Sequence, residues 1–495
     1  MKFISTRGYD GKFSASEAIV QGIAPDGGLF VPESIPSLSW DEIEEMKNMQ
    51  YYQISAKVLA KYLDDFTEAE LLDYTSQAYH PDKWGENTVP LVQLNAYNDR
   101  EYILELWHGP TCAFKDMALS LLPHLMTLSL KQLGEDRKVV ILAATSGDTG
   151  KAALEGFKDV PGTGIIVFYP TVSAVQKRQM QTQEGGNVKV VGIRGNFDDA
   201  QKAVKAAFAD PEIAKACDEG GVFLSSANSI NIGRLIPQIV YYFSSYLELA
   251  RRGEISLGEE INFCVPSGNF GNCLAGWIAK QMGLPVRRFL VASNKNNILT
   301  DFFNTGRYDA NREFFKTNAP AMDILVSSNL ERLVWFMTGR DGDKTRSYME
   351  GLRNNGVYEI GADVLERIKE EFTAGYLTEE QVIQTIRDCY DKTGYVLDTH
   401  TACGYGFLEK YRQDSGDTTK TVLVSTASPY KFPESVHGAI SGEVLDVYSA
   451  IDALSGESGV PVPGPLKGIK DRPILHTTVI DRSEIPAFIK DAVRK

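Results

Sequence analysis

Short runs of apolar, mostly β-branched residues alternate with longer amphipathic stretches through much of the chain. Each run has the length of a strand that is buried on both faces, and each following stretch has the spacing of a helix. This alternation is typical of parallel sheets whose strands are joined by right-handed helical crossovers. The strands predicted in this way are 138–144, 163–170, 188–195, 260–266 and 421–426.

The N-terminal part has a different pattern. Residues 13–32 predict a short helix, a Pro-Asp-Gly-Gly turn and a strand, and helical patterns follow from about 40 to 78. A break in the pattern at 79–90 then indicates a boundary. We therefore predict a small N-terminal domain over residues 1–90.

The remaining residues predict one large α/β region that contains two subdomains. An apolar helix is expected over 113–133, and the pattern becomes more helical and more charged between about 296 and 390. The predicted parts of this region, 91–495, are a small α/β subdomain at about 136–236, a large subdomain formed by 91–135 plus 237–495, and a helical insertion at about 296–390.

Composition narrows the classes of partner and the cellular location. The chain has 495 residues and a net charge of −14, which disfavours binding to nucleic acid or to anionic membranes. No apolar run approaches the ~18 residues of a membrane span, and the N-terminus has no apolar signal segment. Six scattered cysteines without a C-x-x-C pair indicate neither a zinc site nor a disulfide framework. We expect a cytoplasmic protein with reduced thiols.

Two glycine-rich loops are the first candidates for chemistry. The first, TSGDTG at 145–150, and the second, SGNFGN at 267–272, each follow a predicted strand and begin a predicted helix. In open α/β sheets, ligands bind beyond the carboxyl ends of the strands, and a helix N-terminus offers N–H groups to an anion. Either loop alone could simply connect a strand to a helix, but both together indicate a ligand site.

Two common nucleotide-binding patterns are absent from these loops. The ATP-binding pattern G-x-x-x-x-G-K-[ST] fails because Thr145 and Ala152 occupy its first and last positions. The dinucleotide pattern G-x-G-x-x-G begins at Gly162 and Gly164 but ends on Val167. A kinase or another nucleotide-using enzyme is therefore disfavoured.

A third candidate is Lys115, which follows a Gly-Pro bend and begins an apolar helix in the segment HGPTCAFKDMALS. One interpretation is a lysine that keeps its charge in solvent while its stem packs on apolar neighbours. The other is a lysine that forms a Schiff base, since burial against apolar walls lowers the pKa of an amine and makes it a nucleophile and a proton carrier. The residues alone leave both interpretations open.

This segment resembles the cofactor-lysine segment of the threonine synthases, a family of pyridoxal-phosphate (PLP) enzymes in the tryptophan-synthase-β group. Further family segments resemble STRG, SEAIVQGIAPDGGLFVP, ATSGDTG, SANSINIGR, PSGNFGN, DTHTACGYG and STASPYKFPESV, in the same order and over about residues 4–440. The resemblance implies a tryptophan-synthase-β-like α/β fold, with two open halves of mainly parallel sheet, a small N-terminal domain and a helical insertion.

The resemblance also implies a cofactor, pyridoxal 5'-phosphate, and the residues that hold it. Lys115 would bind the cofactor covalently and act as the catalytic residue. Thr426 would face the pyridine nitrogen, and Asp148 would lie near the 3-oxygen, where more distant PLP enzymes carry asparagine. The phosphate would lie on the loop formed by Gly268, Asn269, Phe270, Gly271 and Asn272.

The same resemblance implies substrate-binding residues, with no metal site. Asn228 and Arg234 would hold a substrate phosphate, although Arg234 could equally be a surface or helix-capping arginine. His400 lies in a matched segment and is read as structural rather than catalytic. The residues expected near the substrate are Thr111, Ser146, Thr149, Asn228 and Arg234.

The implied reaction converts O-phospho-L-homoserine and water to L-threonine and phosphate, by elimination of the γ-phosphate and addition of water at the β-carbon. A PLP-dependent β-eliminating enzyme of the serine/threonine dehydratase kind is one alternative. A catalytically silent relative that binds phospho-ligands is another. The only other partner expected is a second copy of the chain, so we expect a monomer or a homodimer.

Overall fold

The computed structural model describes residues 1–94, 100–145, 147–170, 174–195 and 197–494. Within these residues the chain forms a six-stranded sheet, a five-stranded sheet and two small antiparallel sheets, with helices packed around them. None of the helices described combines the length and the apolar composition that crossing a membrane requires.

The N-terminal part forms a two-stranded antiparallel sheet and a group of helices. The helix and strand predicted within 13–32 and the helices predicted from about 40 to 78 are present, and β1, which pairs with that strand, was not predicted. Ser14 begins the first helix with a capping box, in which its hydroxyl accepts from the Glu17 N–H and the Glu17 carboxylate accepts from the Ser14 N–H. The elements are β1 (Phe3–Ser5), α1 (Ala15–Gln21), β2 (Phe30–Pro32), α2 (Trp40–Met46), α3 (Tyr51–Ala60), α4 (Glu68–Ala78) and α5 (Pro81–Trp84).

The apolar helix expected over 113–133 is two helices rather than one. The next elements are β3 (Leu91–Gln93), β4 (Glu101–Glu105), α6 (Asp116–Leu119) and α7 (Leu122–Leu133). Pro123 lies in the first turn of α7, where its missing N–H costs nothing, and it disfavours a continuous helix through the residues before it. The break leaves Lys115 at the start of the short helix α6.

The five-stranded sheet is built from strands that alternate with helices. Its first elements are β5 (Lys138–Ala144), α8 (Asp148–Phe157), β6 (Thr163–Tyr169), α9 (Ala174–Gln181), β7 (Val188–Arg194), α10 (Phe197–Phe208), α11 (Pro211–Glu219) and β8 (Val222–Ser225). Strands β5, β6 and β7 confirm three of the predicted strands, and all pairs in this sheet are parallel. The first glycine-rich loop connects β5 to α8.

The rest of the chain supplies most of the six-stranded sheet and its covering helices. The elements are α12 (Ile232–Leu235), α13 (Ile239–Arg251), β9 (Ile261–Pro266), α14 (Gly271–Gln281), β10 (Val286–Ser293), α15 (Ile298–Thr305), β11 (Arg307–Asp309), α16 (Leu330–Met337), α17 (Gly342–Asn355), β12 (Val357–Glu359), α18 (Ala362–Glu371), β13 (Phe372–Tyr376), α19 (Glu379–Thr393), α20 (Thr399–Ser415), β14 (Thr421–Ser425), α21 (Pro433–Ser441), α22 (Val447–Ser458), β15 (Val479–Asp481) and α23 (Ile485–Val493).

Strand order brings distant parts of the sequence together. The six-stranded sheet has the order β13-β10-β9-β14-β4-β3, parallel except at β3, and the five-stranded sheet has the order β15-β7-β6-β5-β8. The predicted helical region at 296–390 is mainly helical, and it also contributes β13 and the β11–β12 pair. Every residue of β9 and β14 is buried, as expected for strands covered by helices on both faces.

Candidate active site

Three neighbouring strands end at one edge of the six-stranded sheet. In their register Ser425 of β14 lies opposite Glu105 of β4, while Leu423 lies opposite Cys264 of β9. Strand β4 leads to the segment that contains Lys115, β14 leads to Thr426, and β9 leads to the second glycine-rich loop. The carboxyl ends of parallel strands are the usual place for a ligand in such a sheet.

The segments that contain Lys115 and Thr426 are joined directly. The Phe114 N–H donates to the Thr426 carbonyl at 2.8 Å, and the Ser428 N–H donates to the Cys112 carbonyl at 3.1 Å. Thr426 is buried. These backbone bonds position Thr426 beside the lysine segment.

Lys115 lies half-buried between charged groups. Its side chain is 14% exposed, and its Nζ lies 3.8 Å from Asp148 Oδ2. Burial lowers the pKa of the Lys115 amine; the Arg234 and Lys431 cations lower it further, against the opposing effect of Asp148. A lysine of this kind supplies more neutral amine near neutral pH than an exposed one does, as a nucleophile or a general base requires.

Asp148 is the first residue of α8 and is held in place from two sides. Its Oδ1 lies 3.0 Å from Lys431 Nζ and accepts from Gln176 Nε2 at 3.0 Å. Burial acts to raise the pKa of Asp148, but Lys431 and Lys115 outweigh that effect and hold the pKa well below its usual range. The carboxylate is therefore ionised.

The rest of the first glycine-rich loop is held by its own threonine. Thr145 Oγ1 accepts from the N–H groups of Gly147 and Gly150, at 3.0 and 2.8 Å. Thr149, predicted to contact the substrate, is half-buried next to Asp148. Ser146, the other predicted substrate residue of this loop, lies outside the described residues.

The second glycine-rich loop is neutral and tightly packed. Phe270 takes the left-handed conformation with φ of 62°, and among the described residues no side chain caps the N-terminus of α14. A Cβ on Gly268 would lie 2.9 Å from the carbonyl oxygen of Ala321, so glycine is required there. Such a loop brings backbone N–H groups close to a bound anion.

Buried polar atoms in this loop have no partner within the described chain. The hydroxyls of Tyr241 and Tyr242 each donate to Asn272 Oδ1 at 2.7 Å, which directs the Asn272 Nδ2 group elsewhere. Neither Asn272 Nδ2 nor Ser267 Oγ has a hydrogen-bond partner among the residues described. Because such atoms are costly to leave unsatisfied, they fit a phosphate such as that of PLP.

A group of buried residues supports this loop from behind, and the sequence did not indicate it. The N–H and Nδ2 groups of Asn329 donate to the Asn269 carbonyl at 3.0 and 3.1 Å. Arg332, which is fully buried, donates to Asn329 Oδ1, to the Phe30 carbonyl and to the Ile230 carbonyl. Arg332 therefore connects the loop both to the N-terminal part and to the segment at 226–234.

The segment at 226–234 presents one buried cation. Arg234 donates through Nη1 to the Ala227 carbonyl at 2.9 Å, whereas its buried Nε has no partner among the described residues. Burial lowers the pKa of Arg234 to about 10, so the guanidinium stays charged at neutral pH. Asn228 is exposed, and Asn231 caps α12 by accepting from the Gly233 N–H. Arg234 is thus available to an anionic group.

Two further residues singled out from the sequence are engaged within the protein. The Thr111 hydroxyl and N–H donate to the two oxygens of Asp116, at 2.6 and 2.8 Å. His400 Nε2 accepts from the Ala321 N–H at 3.1 Å, and its Nδ1 lies 3.0 Å from Asp398 Oδ1. Both ring nitrogens of His400 are thus used inside the protein, which favours the structural interpretation.

Lys431 is a buried lysine of this site that was not predicted from the sequence. This lysine is buried in the turn after β14. It lies between Tyr430 and Phe432, which are flanked in turn by prolines. A lysine placed among apolar residues was the signal that identified Lys115. The same signal, in the quoted segment STASPYKFPESV, could have identified Lys431.

Three family models together match most of the chain. Residues 2–79 match the family model of the threonine synthase N terminus, and residues 85–427 match that of the pyridoxal-phosphate dependent enzymes. Residues 401–489 match the model of the threonine synthase C-terminal region.

Individual relatives agree with the family models. The threonine synthase of Pseudomonas aeruginosa is 38% identical over 90% of this chain and 91% of its own length, and that of Saccharomyces cerevisiae is 36% identical over 88% and 89%. The crystal structure of PLP-bound threonine synthase from Brucella melitensis superposes with a TM-score of 0.88, at 35% identity and over 100% of both chains. The chain belongs to the threonine synthase family of pyridoxal-phosphate-dependent enzymes.

Proposed function

We propose that this PLP-dependent enzyme converts O-phospho-L-homoserine and water to L-threonine and phosphate in the pocket around Lys115. The observation that supports this most strongly is the alignment of three strand ends. It brings a lysine of lowered pKa, the neutral second glycine-rich loop and Thr426 to one edge of the sheet.

Lys115, Thr426 and the loop of Gly268–Asn272 would hold the cofactor. When bound there, PLP supplies an electron sink that acidifies protons on the α- and β-carbons of an amino acid. Ser267 Oγ and Asn272 Nδ2, which have no hydrogen-bond partner among the described residues, support the loop as the phosphate site. The neutral hydroxyl of Thr426 would leave the pyridine nitrogen without a charged partner.

Lys115 is the only group we assign to proton transfer. Its amine would remove the α-proton and then carry protons at the β-carbon, which requires a pKa close to the working pH. Its lowered pKa and the ionised Asp148 nearby support this role.

Arg234 and Asn228 would bind the γ-phosphate of the substrate. A guanidinium donates two parallel hydrogen bonds to phosphate oxygens. The Nε of Arg234 has no partner in the described part of the chain, which supports that role. Thr149 and Ser146 would hold the substrate carboxylate, with Thr111 shaping the pocket through its bonds to Asp116.

The division of the chain into an N-terminal domain, 1–90, and a catalytic region, 91–495, is part of the same proposal. Separate sheets support it: in the part of the chain that the structure describes, β1 and β2 form a two-stranded sheet with a further bridge from Phe3 to Phe13, while β5 to β8 form a sheet with β15. We expect a cytoplasmic enzyme, as a monomer or homodimer, and the burial of all six free cysteines supports a reducing compartment.

A comparison of two products tests the proposal. The purified enzyme with PLP is expected to release phosphate from O-phospho-L-homoserine and little ketoacid from L-serine or L-threonine. Faster ketoacid release would instead support the β-eliminating alternative, and release of neither product would support the silent one.

The substitution Arg234→Met tests the substrate assignment within the same assay. It should raise KM for O-phospho-L-homoserine by roughly 10- to 100-fold, because a charge-assisted bidentate contact is lost. The matched control is Arg251→Met, which removes an exposed arginine paired with Glu248 and should leave KM unchanged.

A further inference from the structure

Lys431 is a fully buried ammonium whose hydrogen bonds are all satisfied. Its side chain has no exposed surface. Its Nζ lies 3.0 Å from Asp148 Oδ1, and it donates to the Thr111 carbonyl at 3.3 Å and to Gln179 Oε1. Three acceptors match the three donors of an ammonium, so the hydrogen-bonding capacity of this buried side chain is fully used.

Asp148 lies between this ammonium and the amine of Lys115. Its Oδ1 faces Lys431 at 3.0 Å, and its Oδ2 faces Lys115 at 3.8 Å. Gln176 Nε2, at 3.0 Å from Oδ1, fixes the orientation of the carboxylate. The closer and better satisfied pair is the one with Lys431.

We propose that Lys431 is a positioning residue that neutralises Asp148 and thereby allows Lys115 to act as a neutral amine. The proposal rests on the proposed role of Lys115 as the reacting amine. It assigns a task to a residue that contributes no chemistry of its own.

Charge balance explains why a second lysine is needed. A buried carboxylate with one lysine beside it would hold that lysine as an ammonium, because a lone buried charge is costly. With Lys431 as its permanent partner, Asp148 stays compensated whenever Lys115 gives up its proton. Asp148 can thus remain next to Lys115 without fixing its protonation state.

The sign of each effect follows from the charges that face Lys115. These groups are Asp148 at the start of α8, Arg234 on α12, Lys431 after β14 and Asp116 on its own helix. Removing the Lys431 cation leaves Asp148 uncompensated, which favours the ammonium of Lys115. Removing the Asp148 charge leaves Lys115 facing the Arg234 and Lys431 cations and the Asp116 carboxylate, which favours the neutral amine.

The test measures how fast acetic anhydride labels Lys115 in the full-length, cofactor-free chain as a function of pH. Peptide mass spectrometry reports the Lys115 peptide separately from other lysines, and only the neutral amine reacts. Lys431→Met should slow labelling at pH 7 by roughly tenfold or more, and Asp148→Asn should accelerate it. The double variant D148N/K431M should return the profile towards that of the parent.

Two further variants separate charge from packing. Lys431→Arg keeps the cation and should restore part of the parent profile. Lys151→Met removes another buried lysine, paired with Glu155 at 3.1 Å, and should leave Lys115 labelling unchanged even where it reduces stability. If Lys431→Met does not fold, the comparison of D148N with the double variant still decides the question.

The proposal is overturned if K431M and K151M give the same Lys115 profile, or if the double variant is no closer to the parent than the single variants. Labelling of Lys115 involves neither substrate nor cofactor. A negative result would therefore leave the proposed function standing, whereas that function fails separately if PLP does not attach to Lys115.

Discussion

The two glycine-rich loops occupy equivalent places in two sheets but are built differently. Each follows a parallel strand and begins a helix, α8 in one case and α14 in the other. The first loop carries the carboxylate of Asp148 and meets the amines of Lys115 and Lys431. The second carries no charge and offers backbone N–H groups, Ser267 and Asn272.

This difference indicates a division of labour around one cofactor. A neutral loop binds a phosphate through backbone dipoles, so the affinity of the loop changes little with pH. The first loop contributes the carboxylate of Asp148, which interacts with two lysines and influences the protonation state of Lys115. Its contribution to activity therefore depends on pH. Substitutions in and beside the two loops test this difference.

Lys115→Ala removes the amine on which the first loop acts. We expect kcat to fall by at least about 10³-fold, because both the nucleophile and the proton carrier are lost. The absorbance band of covalently bound PLP should disappear as well. A variant that retains both the band and measurable turnover would show that another lysine serves this site.

Asp116→Asn tests whether the buried carboxyl of Asp116, next to Lys115 in the sequence, makes the free energy of unfolding depend on pH. Burial raises the pKa of Asp116 to about 6 from an ordinary 3.8, so the folded chain binds more protons than the unfolded chain between these values. The free energy of unfolding should therefore fall as pH rises from about 4 to 6, by up to about 3 kcal/mol.

Chemical denaturation of the parent and of Asp116→Asn at pH 4 and 6.5 measures this contribution. In the variant, the contribution of residue 116 to the free energy of unfolding should no longer depend on pH. A constant difference from the parent should remain, because the hydrogen bond to Thr111 is altered. Equal slopes with pH in both proteins would contradict the raised pKa.

Gly268→Ala and Gly147→Ala compare the two loops at matched positions. A Cβ at 268 would press on a backbone carbonyl at 2.9 Å, whereas one at 147 would meet the Gln176 amide at 2.3 Å. The first change should weaken PLP binding by roughly 10- to 30-fold without moving the pH profile. The second should shift the pH profile, because Gln176 orients Asp148.

Fluorescence titration with PLP and the pH dependence of kcat/KM separate these two effects. If Gly268→Ala shifted the pH profile as far as Gly147→Ala does, the separate roles of the two loops in phosphate binding and in protonation would be contradicted.

Ser267→Ala is expected to have the smallest effect. Its hydroxyl has no partner among the described residues, so the cofactor-free protein should keep its stability. PLP should bind about three- to tenfold more weakly, since one neutral hydrogen bond to the phosphate is lost. Unchanged affinity for PLP would place the phosphate away from this side chain.

Much of the fold could be predicted from the sequence because buried parallel strands are continuous apolar runs. The runs at 138–144, 163–170, 188–195, 260–266 and 421–426 all form strands. Strand β4 was missed because a glutamate at each end leaves only a short apolar run, and β10 was missed because Arg287 and Arg288 lie within it. Glu101 of β4 lies 3.0 Å from Arg412. Arg288 of β10 donates to Thr373 at 2.9 Å. Both partners are distant in the sequence.

The site residues that belong to a local sequence pattern could be predicted. The contacts that form only when distant elements pack together could not. Both glycine-rich loops stand out because each follows the apolar run of a strand, and Lys115 stands out because it begins an apolar helix. The pairing of Lys431 with Asp148 arises only when the turn after β14 meets the start of α8. The support of the second loop by Asn329 and Arg332 likewise depends on elements far apart in the sequence.

The most direct test of the central claim is to reduce the enzyme with borohydride in the presence of PLP and to map the modified peptide. We expect one pyridoxyl group per chain, on Lys115, within the segment that adjoins Thr426. Modification of a different lysine, or the absence of any stable pyridoxyl group, would contradict it.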